Sequence, residues 1–96
     1  MVLEVAVLDV IKGDESKFEM DFKKASLIIA SMDGYIDHQL KRCIEKQNRY
    51  LLLVNWETLE HHTEGFRQSA PYQEWKALLH HYYDPFPTVE HYLEVD

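Results

Sequence analysis

The chain has only one cysteine, Cys43, among its 96 residues. A single thiol cannot form an internal disulfide, which excludes a small secreted scaffold held by disulfides, and no Cys-x-x-Cys redox motif is present. We therefore interpret Cys43 as a structural residue. The lack of disulfides is typical of a reducing compartment, and we expect a cytoplasmic protein.

Long apolar runs and an excess of positive charge are also missing. No apolar stretch approaches the roughly 20 residues that cross a bilayer. The segment MVLEVAVLDV has no basic leader and is interrupted by Glu4 and Asp9, so it is typical of a strand rather than a signal peptide. Ten basic residues against 17 acidic ones give a formal charge of -7, which repels nucleic acid and anionic lipid. We expect neither as a partner.

Apolar and aromatic residues are plentiful by comparison. The sequence is 46% hydrophobic and 12% aromatic, which is enough to build a core in a chain of this length. No linker-like segment divides it. We therefore expect one domain over residues 1–96.

The hydrophobic periodicity predicts alternating strands and helices. Period-two and continuously apolar segments predict strands at 2–11, 35–45, 49–57 and 88–95. Helical spacing predicts a first helix that begins at a capping box formed by Ser16 and Glu19, and a second helical element split between 58–67 and 69–79. The order strand, helix, strand, strand, helix, strand is that of a ferredoxin-like α+β sandwich with an antiparallel sheet.

Several of the predicted strands carry apolar residues on both faces. In a ferredoxin-like fold the helices cover only one face of the sheet. The chain has no spare element to cover the other face. A second copy of the chain packed sheet against sheet is the economical solution, so we expect a homodimer.

Three segments resemble a known family: LLLVNWETLEHHTEGFRQS with Trp56 at the end of the third strand, the YQEW that follows, and PFPTVEHY near the C-terminus. Together with the order of elements they resemble the antibiotic biosynthesis monooxygenase family. The resemblance covers nearly the whole chain and is most specific over residues 51–92. It implies a dimeric α/β barrel of two ferredoxin-like subunits, with a pocket between sheet and helices in each.

The resemblance implies several chemistries. Some members of the family oxidise quinols or polyketide-type aromatics with molecular oxygen and no cofactor, others degrade haem, and others are isomerases. Haem degradation is disfavoured, because the first strand lacks the expected Asn and Trp75 and Lys76 stand near the place of the iron-binding His. We therefore expect no cofactor.

Two vicinal histidine pairs, at 61–62 and 80–81, raise the question of a metal site. Neighbouring residues on a regular helix point about 100° apart, so neither pair can chelate one ion. No cysteine cluster or His-x-x-x-His pattern supports them. We expect no metal, and one inward and one solvated member in each pair.

Candidate site residues fall into two groups. The first could supply proton transfer and a hydrogen bond to a substrate carbonyl, and comprises His38, His62 and Asn55. The second could wall a pocket for a flat aromatic molecule, and comprises Trp56, Phe66, Tyr72 and Trp75. For each residue the alternative is an ordinary place in the core or in a strand hydrogen-bond network.

Two functions remain open on the sequence alone. The first is a cofactor-independent monooxygenase that oxidises a small quinol-like or polyphenolic compound with molecular oxygen. The second is a homodimeric protein of the same fold that binds a small hydrophobic ligand, or another protein, without catalysis. A catalytic site requires an imidazole and an amide that converge on one cavity, whereas a binding module requires only apolar walls.

Overall fold

The computed structural model describes all of residues 1–96, in which four antiparallel strands form one sheet. The strands are β1 (Val2–Asp9), β2 (Tyr35–Arg42), β3 (Arg49–Trp56) and β4 (Val89–Tyr92). Their spatial order is β2-β3-β1-β4, with the first strand and the third strand in the centre. Two α-helices, α1 (Glu15–Ala30) and α2 (Ala70–Leu79), pack against each other. The prediction of a ferredoxin-like α+β fold is confirmed.

The core lies between the helices and one face of the sheet. In β3 every second residue is buried, namely Tyr50, Leu52, Val54 and Trp56. From α1, Phe18, Phe22, Ala25 and Ile29 meet this face at helical spacing. The alternation with period two in the strand and near four in the helix therefore brings both apolar sets into one layer.

The start of α1 differs from the prediction. The helix begins at Glu15 after Asp14, so Ser16 is already inside it and makes no capping bond. Glu19 instead accepts a hydrogen bond from the hydroxyl of Tyr50 in the sheet, at 2.5 Å. The capping-box prediction was wrong, because a tertiary partner holds the glutamate that a local cap would have used.

The second helical element is split, as predicted, but its first part has an unexpected form. Residues His61–Phe66 make a π-helix, in which the amide of Arg67 donates to the carbonyl of His62 five residues earlier, at 3.0 Å. Ser69 then caps α2 by accepting from the amide of Tyr72 at 3.2 Å. A 3-10 turn at His80–Tyr82 ends the element before the two prolines.

The other face of the sheet has no element of this chain over it. Leu3, Val5 and Val7 of β1 and Leu51 and Leu53 of β3 alternate with the buried residues and are only partly covered. Val7 remains 42% exposed. The molecule is therefore a two-layer structure, 19 Å across its thinnest dimension. None of its helices has both the length and the apolar character needed to cross a membrane.

Phe18 joins helix and sheet, and its loss should be costly. Its fully buried ring contacts Phe22, Tyr50 and Tyr82. We expect Phe18→Ala to lower the free energy of unfolding by about 3–5 kcal/mol, because removing a buried ring leaves a cavity. Met20→Ala in the same helix, at a residue 66% exposed, should change it by no more than about 0.5 kcal/mol. Urea denaturation followed by circular dichroism measures both, and equal effects would contradict this packing.

Candidate active site

A cavity of about 450 Å³ lies between the sheet and the second helical element. Its floor comes from β1, β3 and β4, and its walls come from the π-helix, α2 and the segment that follows them. Its lining is mostly apolar or aromatic and includes Leu8, Leu52, Phe66, Tyr72, Trp75, Tyr83, Phe86 and Val89. A volume of this size suits a small ring compound.

A carboxylate lies on the floor of this cavity. Glu4 occupies the centre of β1 on the helix-facing side and is only 5% exposed. Its Oε1 accepts a hydrogen bond from the indole nitrogen of Trp56 at 3.0 Å. An isolated ionised carboxylate is very costly to bury, so this partner matters to the stability of the strand.

Two histidines extend the contacts of this carboxyl group. His62 from the π-helix places Nε2 at 3.3 Å from Glu4 Oε1, and its Nδ1 lies 2.8 Å from Nε2 of His91. His91 stands directly opposite Glu4 in the β1–β4 register. The ring of His62 also stacks on Trp56, with centroids 5.4 Å apart. The three side chains thus contact one another in series, with a hydrogen bond between the two histidines, and we call them the Glu4–His62–His91 chain.

Burial favours the neutral forms of the three side chains Glu4, His62 and His91. It raises the pKa of Glu4 above its ordinary 4.5, and the Trp56 hydrogen bond and the charge of Arg67 offset part of that shift. Burial lowers the pKa of His62 from 6.5 to about 3, and it also lowers the pKa of His91. The contact between Glu4 and His62 therefore joins a carboxyl group to a neutral imidazole and is not an ion pair at neutral pH.

Other polar groups reach the cavity from the walls. Arg67 follows the π-helix and lines the cavity, and its positive charge acts on the Glu4 carboxyl group. Tyr72 and Tyr83 line the cavity, and burial is the first cause of the raised pKa of each hydroxyl. Burial, followed by the charge of Lys76, lowers the pKa of His80. An anion that developed in the cavity would meet Arg67 and neutral hydroxyl donors.

Four of the seven predicted site residues lie at the cavity: His62, Phe66, Tyr72 and Trp75. The ring of Phe66 meets those of Tyr72 and Trp75 edge to face, with centroids 5.1 and 5.6 Å apart. Trp56 lies behind this layer, is fully buried, and reaches the cavity only through Glu4 and His62.

The structure does not bring His38 and Asn55 to the cavity. His38 lies on β2, opposite Val54, which itself lies opposite Glu4. Two strand spacings of about 4.8 Å therefore separate His38 from the carboxylate. The ring of His38 instead accepts or donates one hydrogen bond with Tyr35. Asn55 points to the opposite face of the sheet and donates to Asp37 at 2.7 Å.

Sequence reasoning missed Glu4, Arg67 and His91 as parts of one site. Glu4 and Arg67 are charged residues in elements where a solvated position is the usual expectation. The sequence did contain a signal for Glu4. Every second residue of a strand faces the same way, so Glu4 lies on the same apolar face as Ala6 and Leu8. The expected division into one inward and one solvated member holds for His80 and His81, with His80 at the cavity and His81 exposed, whereas in the first pair His62 is buried at the cavity and His61 is half-buried.

No three acidic, histidine or cysteine side chains of residues 1–96 are grouped so that they could hold a metal ion. Within the Glu4–His62–His91 chain, the two imidazoles contact each other directly through ring nitrogens.

Comparison with known proteins shows which family this chain is similar to. The sequence model for "Antibiotic biosynthesis monooxygenase" matches residues 1–78. The "Uncharacterized protein YczJ" of Bacillus subtilis (strain 168) is 59% identical over 95 residues, which cover 99% of this chain and all of that protein.

Solved structures give the same result. A protein of Bordetella bronchiseptica that carries the same family name superimposes with a TM-score of 0.93 at 36% identity, over 98% of this chain and 96% of the other. SnoaB of Streptomyces nogalater, a cofactor-independent oxygenase, superimposes with a TM-score of 0.71 at 23% identity, over 99% and 91%. At that identity SnoaB shares the fold alone with this chain.

The depressed pKa of His62 should make stability depend on pH. An unfolded chain protonates this histidine below about pH 6.5, whereas the folded chain resists protonation down to about pH 3. Between these values the unfolded state binds more protons, so the folded state loses stability as the pH falls. We expect His62→Gln to lower the free energy of unfolding at pH 7. The difference in this free energy between the variant and wild type should narrow by about 1–2 kcal/mol at pH 5, because only wild type loses the contribution of His62.

Urea denaturation at the two pH values measures this difference. His81→Gln, in the exposed member of the second pair, serves as the matched control and should keep the pH dependence of wild type. A gap that stayed constant between pH 7 and pH 5 for His62→Gln would contradict the burial of a neutral imidazole.

Proposed function

The chain belongs to the antibiotic biosynthesis monooxygenase family, and from this premise we propose that it is a cofactor-independent monooxygenase for a small quinol-like or polyphenolic compound. The observation that carries the proposal is the aromatic cavity of about 450 Å³ with the Glu4–His62–His91 chain on its floor. An apolar pocket with a few convergent polar groups and perturbed pKa values is typical of an active site.

The chemistry requires only a base, a dry pocket and molecular oxygen. A base removes a proton from an activated ring carbon or hydroxyl, and the electron pair stays on the substrate as a carbanion or phenolate. This anion reduces oxygen, and the two combine with the returning proton as a hydroperoxide. Loss of water converts the ring CH₂ or CH into a carbonyl. One oxygen atom enters the product and the other leaves as water, so the substrate supplies all the electrons.

The lining residues suit the separate needs of this reaction. Phe66, Tyr72 and Trp75 give flat apolar contact to a ring and limit the access of water. Arg67 can stabilise the anion that forms when the proton leaves. Of the histidines predicted as bases, His62 is the one beside the cavity, and there it acts together with Glu4.

The open sheet face supports a homodimer in the same proposal. The partly covered residues Leu3, Val5, Leu51 and Leu53 form a continuous apolar surface across the two central strands. Such a surface is typical of an interface. Sheet-to-sheet packing of two copies would close the α/β barrel that is implied by the resemblance to the family.

Oxygen consumption tests the activity. Purified protein with a panel of hydroquinones and anthrones under ¹⁸O₂ should consume oxygen above the autoxidation rate and place one ¹⁸O atom in each product. His62→Gln should slow this by at least about tenfold, because it disturbs the position of the Glu4 carboxyl group that His62 contacts at the cavity. His81→Gln should retain the wild-type rate. Uptake that fell in His38→Gln instead would place the proton-handling group outside the cavity and overturn the proposal.

An absence of uptake across the whole panel would favour the non-catalytic binding protein. That protein would need only the apolar walls, and a bound ring compound would still raise the melting temperature.

Substitution at the open face tests the dimer. Leu53→Glu should convert a wild-type dimer into a monomer, because two like charges would be brought into an apolar contact. Leu27→Glu, at a helix residue 75% exposed, should remain dimeric. Sedimentation velocity at micromolar concentrations distinguishes the two. A monomeric wild-type protein at these concentrations would contradict the homodimer.

A further inference from the structure

Glu4 is the most buried charged residue of the chain. Its neighbours on the same face of β1 are Ala6 and Leu8, both 2% exposed. A carboxyl group in this position costs several kcal/mol of desolvation unless hydrogen bonds compensate for it, and an apolar residue would fill the place without that cost. The position therefore calls for an explanation beyond stability.

The two oxygens of this carboxyl group have different surroundings. Oε1 is occupied, since it accepts from Trp56 and lies beside His62. Oε2 has no hydrogen-bond partner anywhere in the protein. No fully buried side-chain oxygen of the protein lacks a partner, so Oε2 is not sealed in the core. Glu4 lines the cavity, and Oε2 is the oxygen of its carboxyl group that is left without a partner in the protein.

We propose that Glu4 is the catalytic base of this site, and that His62 and His91 are positioning residues that hold its carboxyl group. The inference rests on the proposed function, and it names the atom that would touch the substrate: Oε2 of Glu4. The C–H or O–H bond of the substrate breaks, its electron pair stays on the ring system, and the proton moves to Oε2. The same oxygen returns that proton to the peroxide.

Basicity supports glutamate over histidine for this task. Burial raises the pKa of Glu4, so its carboxylate is a stronger base than a solvated one. The pKa of His62 falls to about 3, which makes its imidazole a weak base. The groups that face the carboxyl group from the neighbouring elements are Trp56, Arg67, His91, Tyr72 and Tyr83. Of these, Trp56 and Arg67 favour the ionised form that a base requires.

The two histidines fix the orientation of the carboxyl group. A neutral imidazole has one donor and one acceptor nitrogen. His62 Nε2 lies 3.3 Å from Glu4 Oε1, and Nδ1 of the same ring shares a hydrogen bond of 2.8 Å with His91 Nε2. This arrangement holds Oε1 between His62 and Trp56 and leaves Oε2 free. His91 therefore acts on the base only through His62.

Proton exchange without oxygen tests the inference separately from the oxygenase chemistry. Anthrone has ring CH₂ protons that a base can remove, and in D₂O under argon their replacement by deuterium is followed by proton NMR. The wild-type protein should accelerate this exchange. Glu4→Gln keeps the side-chain shape and an oxygen acceptor for Trp56, and should reduce the enzyme-dependent rate by about 100-fold or more, as expected for loss of a general base.

The positioning role of the histidines has its own readout. The wild-type exchange rate should rise with pH through the ionisation of Glu4. His62→Gln and His91→Gln should keep this dependence but move its midpoint, whereas Glu4→Gln should abolish it. His81→Gln should match wild type throughout. Quenching of tryptophan fluorescence by anthrone should show that Glu4→Gln still folds and binds.

The outcomes separate the two proposals. Exchange by Glu4→Gln at the wild-type rate, or no acceleration by wild type at saturating anthrone, overturns the assignment of Glu4. Exchange that depends on Glu4 in a protein that consumes no oxygen with any substrate overturns the monooxygenase and leaves Glu4 as a base for another proton abstraction. Oxygen uptake that persists in Glu4→Gln overturns the assignment and leaves the oxygenase.

Discussion

The hydrogen bond from the Trp56 indole to the Glu4 carboxyl group connects the core to the cavity. It joins the two central strands on the helix-facing side, at the depth where the π-helix packs against the sheet. His62 contacts both residues of this hydrogen bond, since its ring stacks on the Trp56 indole and lies beside the Glu4 carboxyl oxygen. Without the indole, the carboxyl group would lose a donor in a place that water hardly reaches. The position of His62, and through it that of His91, would then be less defined.

This arrangement also sets the electrostatics of the cavity. Every titratable group of the Glu4–His62–His91 chain is pushed towards its neutral form by burial, while Arg67 remains as the nearby positive charge. Because dielectric screening in this interior is weak, the charge of Arg67 acts on an anion there more strongly than it would in water. An anion formed in the cavity would therefore depend on Arg67 and on hydroxyl donors for its stabilisation.

The sequence was sufficient for the fold because the alternation in β3 and the helical spacing in α1 are both nearly unbroken. The site was harder to predict. Adjacent strand residues face opposite sides of the sheet, so Asn55 and Trp56 could never have shared one cavity. Their positions in the sequence are enough to show this. The distance of His38 depends on strand order, which periodicity does not contain. Glu4 looked like an interruption of an apolar strand, and the only local sign of its burial was that it lies on the same face as Ala6 and Leu8.

The π-helix at His61–Phe66 carries His62 and Phe66 to the cavity. A π-helix has one more residue in its hydrogen-bonded turn than an α-helix. A single-codon deletion in this segment would restore α-helical winding and change which side chains of the segment face the cavity. The fold could survive such a change while the cavity received a different set of side chains. Gain or loss of one residue here would therefore alter the lining of the cavity while the sheet and the two α-helices kept their places.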